Sequence, residues 1–136
     1  MILPYLHFQG DCREAMTLYQ QVFGGELQLM GYDAFPGEAL EGGEGRVMHG
    51  RLVTKDHGIL MGSDFRDGMG DPQKAVSITV ATETEAEARR LYDALGDGGD
   101  VIMPYAATFF SAGFGMMRDR FGTHWMLMAP PEAAQG

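Results

Sequence analysis

The sequence predicts an α+β protein: two tandem βαβββ modules, each a curved mixed sheet with one helix outside it. Three observations predict this. Two amphipathic stripes with helical spacing occur, Ala15/Leu18/Tyr19/Val22/Phe23 and Ala88/Leu91/Tyr92/Leu95. Each follows a capping-box pattern, Asp11-Cys12-Arg13-Glu14 and Thr84-Glu85-Ala86-Glu87, and each ends at glycines. Subtracting 73 then lays Glu87 on Glu14, Ala88 on Ala15, Leu91 on Leu18, Tyr92 on Tyr19, Gly98 on Gly25, Met103 on Met30 and Tyr105 on Tyr32. An offset that runs unbroken through cap, stripe, stop and strand favours internal duplication over two independent βαβ patterns.

Taken in order, 4–8 is a short β-type run and the first helix follows from the cap at Asp11. Gly24-Gly25 stops it, and 27–32 returns as a strand. Residues 46–54 and 59–62 are predicted as a strand pair turning at Lys55-Asp56-His57-Gly58. The second module repeats the plan with strands at 76–80, 101–105, 113–119 and 123–128. In the last of these Trp125 and Leu127 alternate with His124, Met126 and Met128, so one face is apolar core and the other carries a histidine and two thioethers. Module one is expected at about 1–66 and module two at about 74–130 of one domain. The acidic, glycine-rich stretch 33–45 reads as a lid or a solvent loop, with disorder favoured for 37–45. Residues 63–74 read as a connection long enough to be functional, and 130 onward as a frayed tail.

The first strand has two incompatible readings. Its own alternation makes Leu6 and Phe8 core and leaves Tyr5 and His7 opposite, whereas the offset of 73 matches Tyr5 and His7 to Ile78 and Val80. A bulge in the first strand would reconcile them.

Composition narrows the partners. The 136 residues carry 10 basic and 19 acidic side chains, a net charge of −9 that repels phosphate backbones and anionic lipid. Neither nucleic acid nor membrane is therefore an expected partner. The single cysteine, Cys12, forms no internal disulfide and reads as an inert thiol. With no signal-like or spanning apolar run, the expected location is the cytoplasm. Eleven methionines suit either a core or a pocket that repacks around its ligand. There is no Ser-His-Asp ordering, Walker loop or paired-cysteine motif.

The chain resembles the vicinal oxygen chelate superfamily, which includes glyoxalase I, extradiol dioxygenases and bleomycin-resistance proteins, and within it the PhnB-like branch. The residues that carry the resemblance are Pro4-Tyr5-Leu6-His7-Phe8 with Gly10-Asp11-Cys12-Arg13-Glu14-Ala15, Val22-Phe23-Gly24-Gly25, Val47-Met48-His49, Leu60-Met61-Gly62-Ser63-Asp64, and Asp119-Arg120-Phe121-Gly122 with Trp125. It implies a glyoxalase-like fold and a homodimer with pockets in the sheet concavities, but no single activity. Some relatives carry a ubiquinone-methyltransferase label, yet no glycine-rich loop joins a Rossmann-like strand to a helix here.

In metal-dependent members, first and last strands of each module supply His and Glu ligands. The matching positions fall near Pro4, Ser77 and Met126, which are poor ligands for a hard divalent ion. Only a slip of register brings His7 or His124 into play, with His49 on a neighbouring strand. The expectation is thus no cofactor, with a divalent ion bound by His7, His49 or His124 as the alternative. The candidate acid–base residues are His49 and Asp64; Asp64, following Gly62-Ser63 at a strand end, reads equally as a loop cap. The expected ligand-binding set is His7, His49, Met61, Asp64, Phe110 and Met126. Two functions remain open: a metal-independent small-molecule-binding homodimer, or a metal-dependent lyase, isomerase or dioxygenase-type enzyme on a small oxygenated substrate.

Overall fold

The computed structural model describes residues 1–34 and 41–132, and the chain divides into two units, 1–73 and 74–136. The expectations for the centre of the 33–45 stretch and for the last four residues lie outside the described residues. Unit one contains β1 (Tyr5–Phe8), α1 (Cys12–Phe23), β2 (Glu26–Gly31), β3 (Val47–Val53) and β4 (Ile59–Asp64), with a 3-10 turn at Tyr32–Ala34. Unit two contains β5 (Ser77–Ala81), α2 (Glu85–Gly96), β6 (Asp100–Ala106), β7 (Phe114–Arg118) and β8 (His124–Met128). Each unit is one four-stranded mixed sheet, ordered β1-β4-β3-β2 and β5-β8-β7-β6, with one parallel pair, β1 with β4 and β5 with β8. The predicted βαβββ plan is present in both.

In unit one α1 buries Cys12, Ala15, Met16, Tyr19, Val22 and Phe23 against Leu6, Phe8, Leu52 and Leu60 of the sheet. Burial of such side chains stabilises by about 1.5–3 kcal/mol each before entropy is counted. In unit two α2 buries Ala88, Leu91 and Leu95, and the sheet offers Val80, Met117, Trp125 and Leu127. Alternation leaves the other face of each sheet partly exposed.

The helices start and end with the offset of 73 intact. The first two strands of each module follow an offset one residue larger. Val80 is buried where Leu6 is, and Gly98 (φ 78°) and Gly99 occupy the places of Gly24 (φ 70°) and Gly25. The glycines match most closely: a Cβ on Gly25 would lie 1.9 Å from the Val53 carbonyl oxygen, and one on Gly99 would lie 2.2 Å from that of Arg118. Module one therefore has an extra residue before its helix, taken up at Gly10 (φ 122°), and module two has one after its helix. The matches of Gly98 to Gly25, of Met103 to Met30 and of Tyr105 to Tyr32 are corrected accordingly, Tyr105 lying within β6 and Tyr32 after β2. This also decides the first strand. Leu6 and Phe8 face the core, Tyr5 and His7 face away, and β1 pairs regularly with β4. No bulge lies in β1; the irregularity falls between Met30 and Gly31, where β2 pairs with β3.

Candidate functional site

Asp64 ends β4 and is 1 % exposed. Its Oδ1 accepts from the backbone N–H groups of Gly10 (2.8 Å) and Cys12 (2.9 Å), and its Oδ2 from that of Val47 (2.9 Å). The cap of α1 is thus supplied by Asp64, because Asp11 makes no side-chain capping bond. Only the second capping pattern works as read, with Thr84 Oγ1 accepting from Glu87 N–H. Three backbone donors on a buried carboxylate make Asp64 a strut between α1 and β3, out of contact with the exposed sheet face. Burial raises the pKa of Asp11, with the nearby Asp64 carboxylate adding to the effect. Burial likewise pushes the Cys12 thiol up to about 12, followed by the Asp64 and Asp11 charges, which fits the inert reading.

The exposed face of sheet one gathers the other candidates of that unit. Cross-strand register places Tyr5 beside Met61, Met61 beside Arg51, His7 beside Ser63 and Met30 beside His49. The Tyr5 hydroxyl lies 2.8 Å from His49 Nδ1. The ring of Tyr5 is 5.1 Å from that of His7 and 5.6 Å from that of His49, and His7 stacks on Phe65 at 4.5 Å and 12°. His7 Nδ1 is 3.3 Å from Ser63 Oγ. His7, His49 and Met61 are therefore brought together, and Tyr5 is the member the sequence reading passed over. Its alternation with His7 is the signal that pointed to it.

On the exposed face of sheet two, Met103, Met116 and Met126 stand opposite one another across β6, β7 and β8, with Thr79 on the far side of Met126. The Thr79 hydroxyl points to Met126 Sδ at 3.7 Å. Phe110 meets Phe114 edge-on at 5.2 Å, and Phe114 pairs with Met128. Phe110 and Met126 thus belong to one apolar, thioether-rich face. Met61 and Met126 hold the same position in their sheets, third in the closing strand and flanked by the first strand of the module. Trp125 is fully buried and donates from Nε1 to Asp119 Oδ2 at 2.8 Å, while Oδ1 accepts from Phe121 and Thr123 N–H. Asp119 consequently builds the hairpin turn, and Arg118 pairs with Asp100 instead of with Asp119.

A centre of His and Glu ligands finds poor donors in either unit. No group of three His, Cys, Asp or Glu side chains among the described residues is placed to hold an ion. The Tyr5 ring lies beside both His7 and His49, Asp64 is committed to backbone donors, and a thioether stands at Met126.

A family model described as 3-demethylubiquinone-9 3-methyltransferase matches residues 1–128. The protein PA1353 from Pseudomonas aeruginosa is 40% identical, with a TM-score of 0.87 over 96% of this chain and 97% of that one. A Bacillus cereus protein described as a putative 3-demethylubiquinone-9 3-methyltransferase, PhnB protein, is 28% identical, with a TM-score of 0.75 over 94% and 98% of the two chains. The fold is shared with a glyoxylase/bleomycin resistance protein/dioxygenase domain from Frankia sp. EAN1pec, at 13% identity and a TM-score of 0.69 over 97% of this chain and 92% of that one.

Proposed function

The chain belongs to the 3-demethylubiquinone-9 3-methyltransferase family, a PhnB-like branch of the vicinal oxygen chelate superfamily, and on that premise we propose that it is a small-molecule-binding protein. In this reading it is a cytoplasmic homodimer that takes an aromatic or amphipathic ligand against the exposed sheet faces and uses no catalytic metal. One observation carries it: the cluster of Tyr5, His7, His49 and Phe65 rings, with Met61 beside Tyr5 on the same face. Flat polar-edged rings offer stacking surface and hydrogen-bonding edges, while the thioether adapts to the ligand's outline.

Methyl transfer has little support in the fold. The strand-to-helix turn after β1 contains one glycine, and its Gly10 and Cys12 N–H groups already bind Asp64. Among the described residues, no helix is long and apolar enough to cross a membrane.

A second reading is favoured by the Tyr5–His49 hydrogen bond. With Nδ1 held by the phenol, His49 presents Nε2 for proton transfer to a bound oxygenated substrate. The two readings separate in one experiment. Purified protein is analysed for metal, examined by native mass spectrometry for copurified ligand, and titrated with the identified compound. Binding without turnover, lost in His49→Ala, supports the carrier. Turnover that disappears in His49→Ala supports the enzyme. A stoichiometric divalent ion held by His7, His49 or His124 overturns the metal-free statement, and sedimentation as a monomer at micromolar concentration overturns the dimer.

A further inference from the structure

Unit one contains a concavity whose lining does not include Tyr5, His7 or His49. It lies among the start of α1, the 3-10 turn after β2 and the approach to β3, has a volume of about 360 Å³, and is bounded by Arg13, Tyr32, Asp33, Gly43, Glu44 and Arg46. That is the lower end of the range for small-ligand sites. Two walls are well defined. The Tyr32 hydroxyl donates to the Asp64 carbonyl at 2.6 Å, which fixes the ring, and Gly43 closes on it so tightly that a Cβ there would lie 2.6 Å from Cγ of the ring. Arg46 is also held in place: Nη1 donates to the Phe65 carbonyl at 2.7 Å, and Nη2 is 3.6 Å from an Asp67 carboxylate whose side chain is 82% exposed. A neutral acceptor and a solvated partner orient the guanidinium while leaving most of its charge uncompensated. Arg13 has no ion pair among the described residues.

The charged walls balance, with Arg13 and Arg46 against Asp33 and Glu44. A simple anion entering here gains the guanidinium groups but meets two carboxylates, and a simple cation meets the reverse. A molecule with an anionic and a cationic end satisfies both. We propose that this cavity binds a small amino-acid-like zwitterion, its carboxylate or phosphate end on Arg13 and Arg46 and its ammonium end on Asp33 and Glu44. Guanidinium groups suit the anionic end because they present paired N–H donors to two oxygens at once.

The test follows backbone amides of the full chain by ¹H–¹⁵N spectroscopy during titration with glycine, 4-aminobutanoate and 6-aminohexanoate, with butanoate and butylammonium as single-charge controls. At least one amino acid is expected to shift Gly31, Gly43 and Gly45 saturably at about 10 mM or below, more tightly than either control. Arg13→Gln, at an exposed position, weakens it about fivefold or more with the rest of the spectrum unchanged. Glu44→Gln also weakens the amino acid and narrows its advantage over butanoate. Absence of these shifts, equal affinity for butanoate, or unaltered binding in both variants overturns the proposal. The Arg13 and Glu44 variants leave Tyr5 and His49 in place, so failure of this proposal is distinguishable from failure of the function proposed above.

Discussion

The Tyr5 phenol and His49 Nδ1 meet at 2.8 Å although they stand on strands that are not neighbours: β4 runs between them. The bond spans two strand spacings, about 10 Å of sheet, so only two long side chains on the same face make it. It leaves Nε2 as the free edge of the imidazole and holds the ring against the Tyr5 face.

Tyr5→Phe keeps the ring and removes the partner of His49 Nδ1. The imidazole ¹⁵N shifts of His49 are expected to move toward a mixture of tautomers. Stability should change by less than about 1 kcal/mol, as for a partly exposed neutral hydrogen bond. Unchanged histidine shifts would show that the contact does not set the tautomer.

Asp64→Asn keeps one acceptor oxygen but turns an amide NH₂ toward at least one of the three backbone N–H groups that the carboxylate satisfies. Loss of about 2–4 kcal/mol is expected in urea unfolding, because buried donors are left without partners. A variant as stable as the parent would remove the strut role and return Asp64 to the acid–base candidates.

Cys12 gives a pH dependence whose sign is fixed. Its thiol has an ordinary value of 9.0 and is pushed up to about 12 in the fold, chiefly by burial. Between those values the folded chain keeps a proton that the unfolded chain has lost, so this group makes stability fall as pH rises above about 9. Cys12→Ala should flatten that part of the curve. Below pH 8, labelling of native Cys12 by a thiol reagent should proceed only at the rate of opening, and fast labelling would contradict the burial.

Gly25→Ala and Gly99→Ala drive a methyl group into a backbone carbonyl, whereas Gly58→Ala meets nothing within 4 Å. The first two are expected to destabilise by about 3 kcal/mol or more. Gly58→Ala should cost about 1 kcal/mol, from its positive φ alone. Equal effects at all three would refute the close approach at the helix ends.

The repeat was legible because helix stripes and stops are written in residues a few positions apart. The change of offset was not. It is absorbed at Gly10 and beyond Gly96, in turns where one more residue leaves the neighbouring periodicities intact. The exposed faces were readable from alternation, which places His7, His49 and Met61 on one face of the sheet. Asp64 stayed open between loop cap and cavity residue because a carboxylate at a strand end looks the same in sequence whether it meets a ligand or three backbone amides. Its partners Cys12 and Val47 lie 52 and 17 residues away along the chain. Tyr5 escaped notice for a related reason, since its tie to His49 depends on a strand order that local pattern does not contain.

Met61 and Met126 occupy one position of a plan that the chain uses twice, and their chain neighbours Leu60, Trp125 and Leu127 are core. Each face can therefore drift in chemistry while its reverse side goes on holding a helix. Using one plan twice leaves the two exposed faces free to differ. One has become a patch of phenol and imidazole, the other a row of sulfur, and selection for a new ligand can rewrite either without renegotiating the fold.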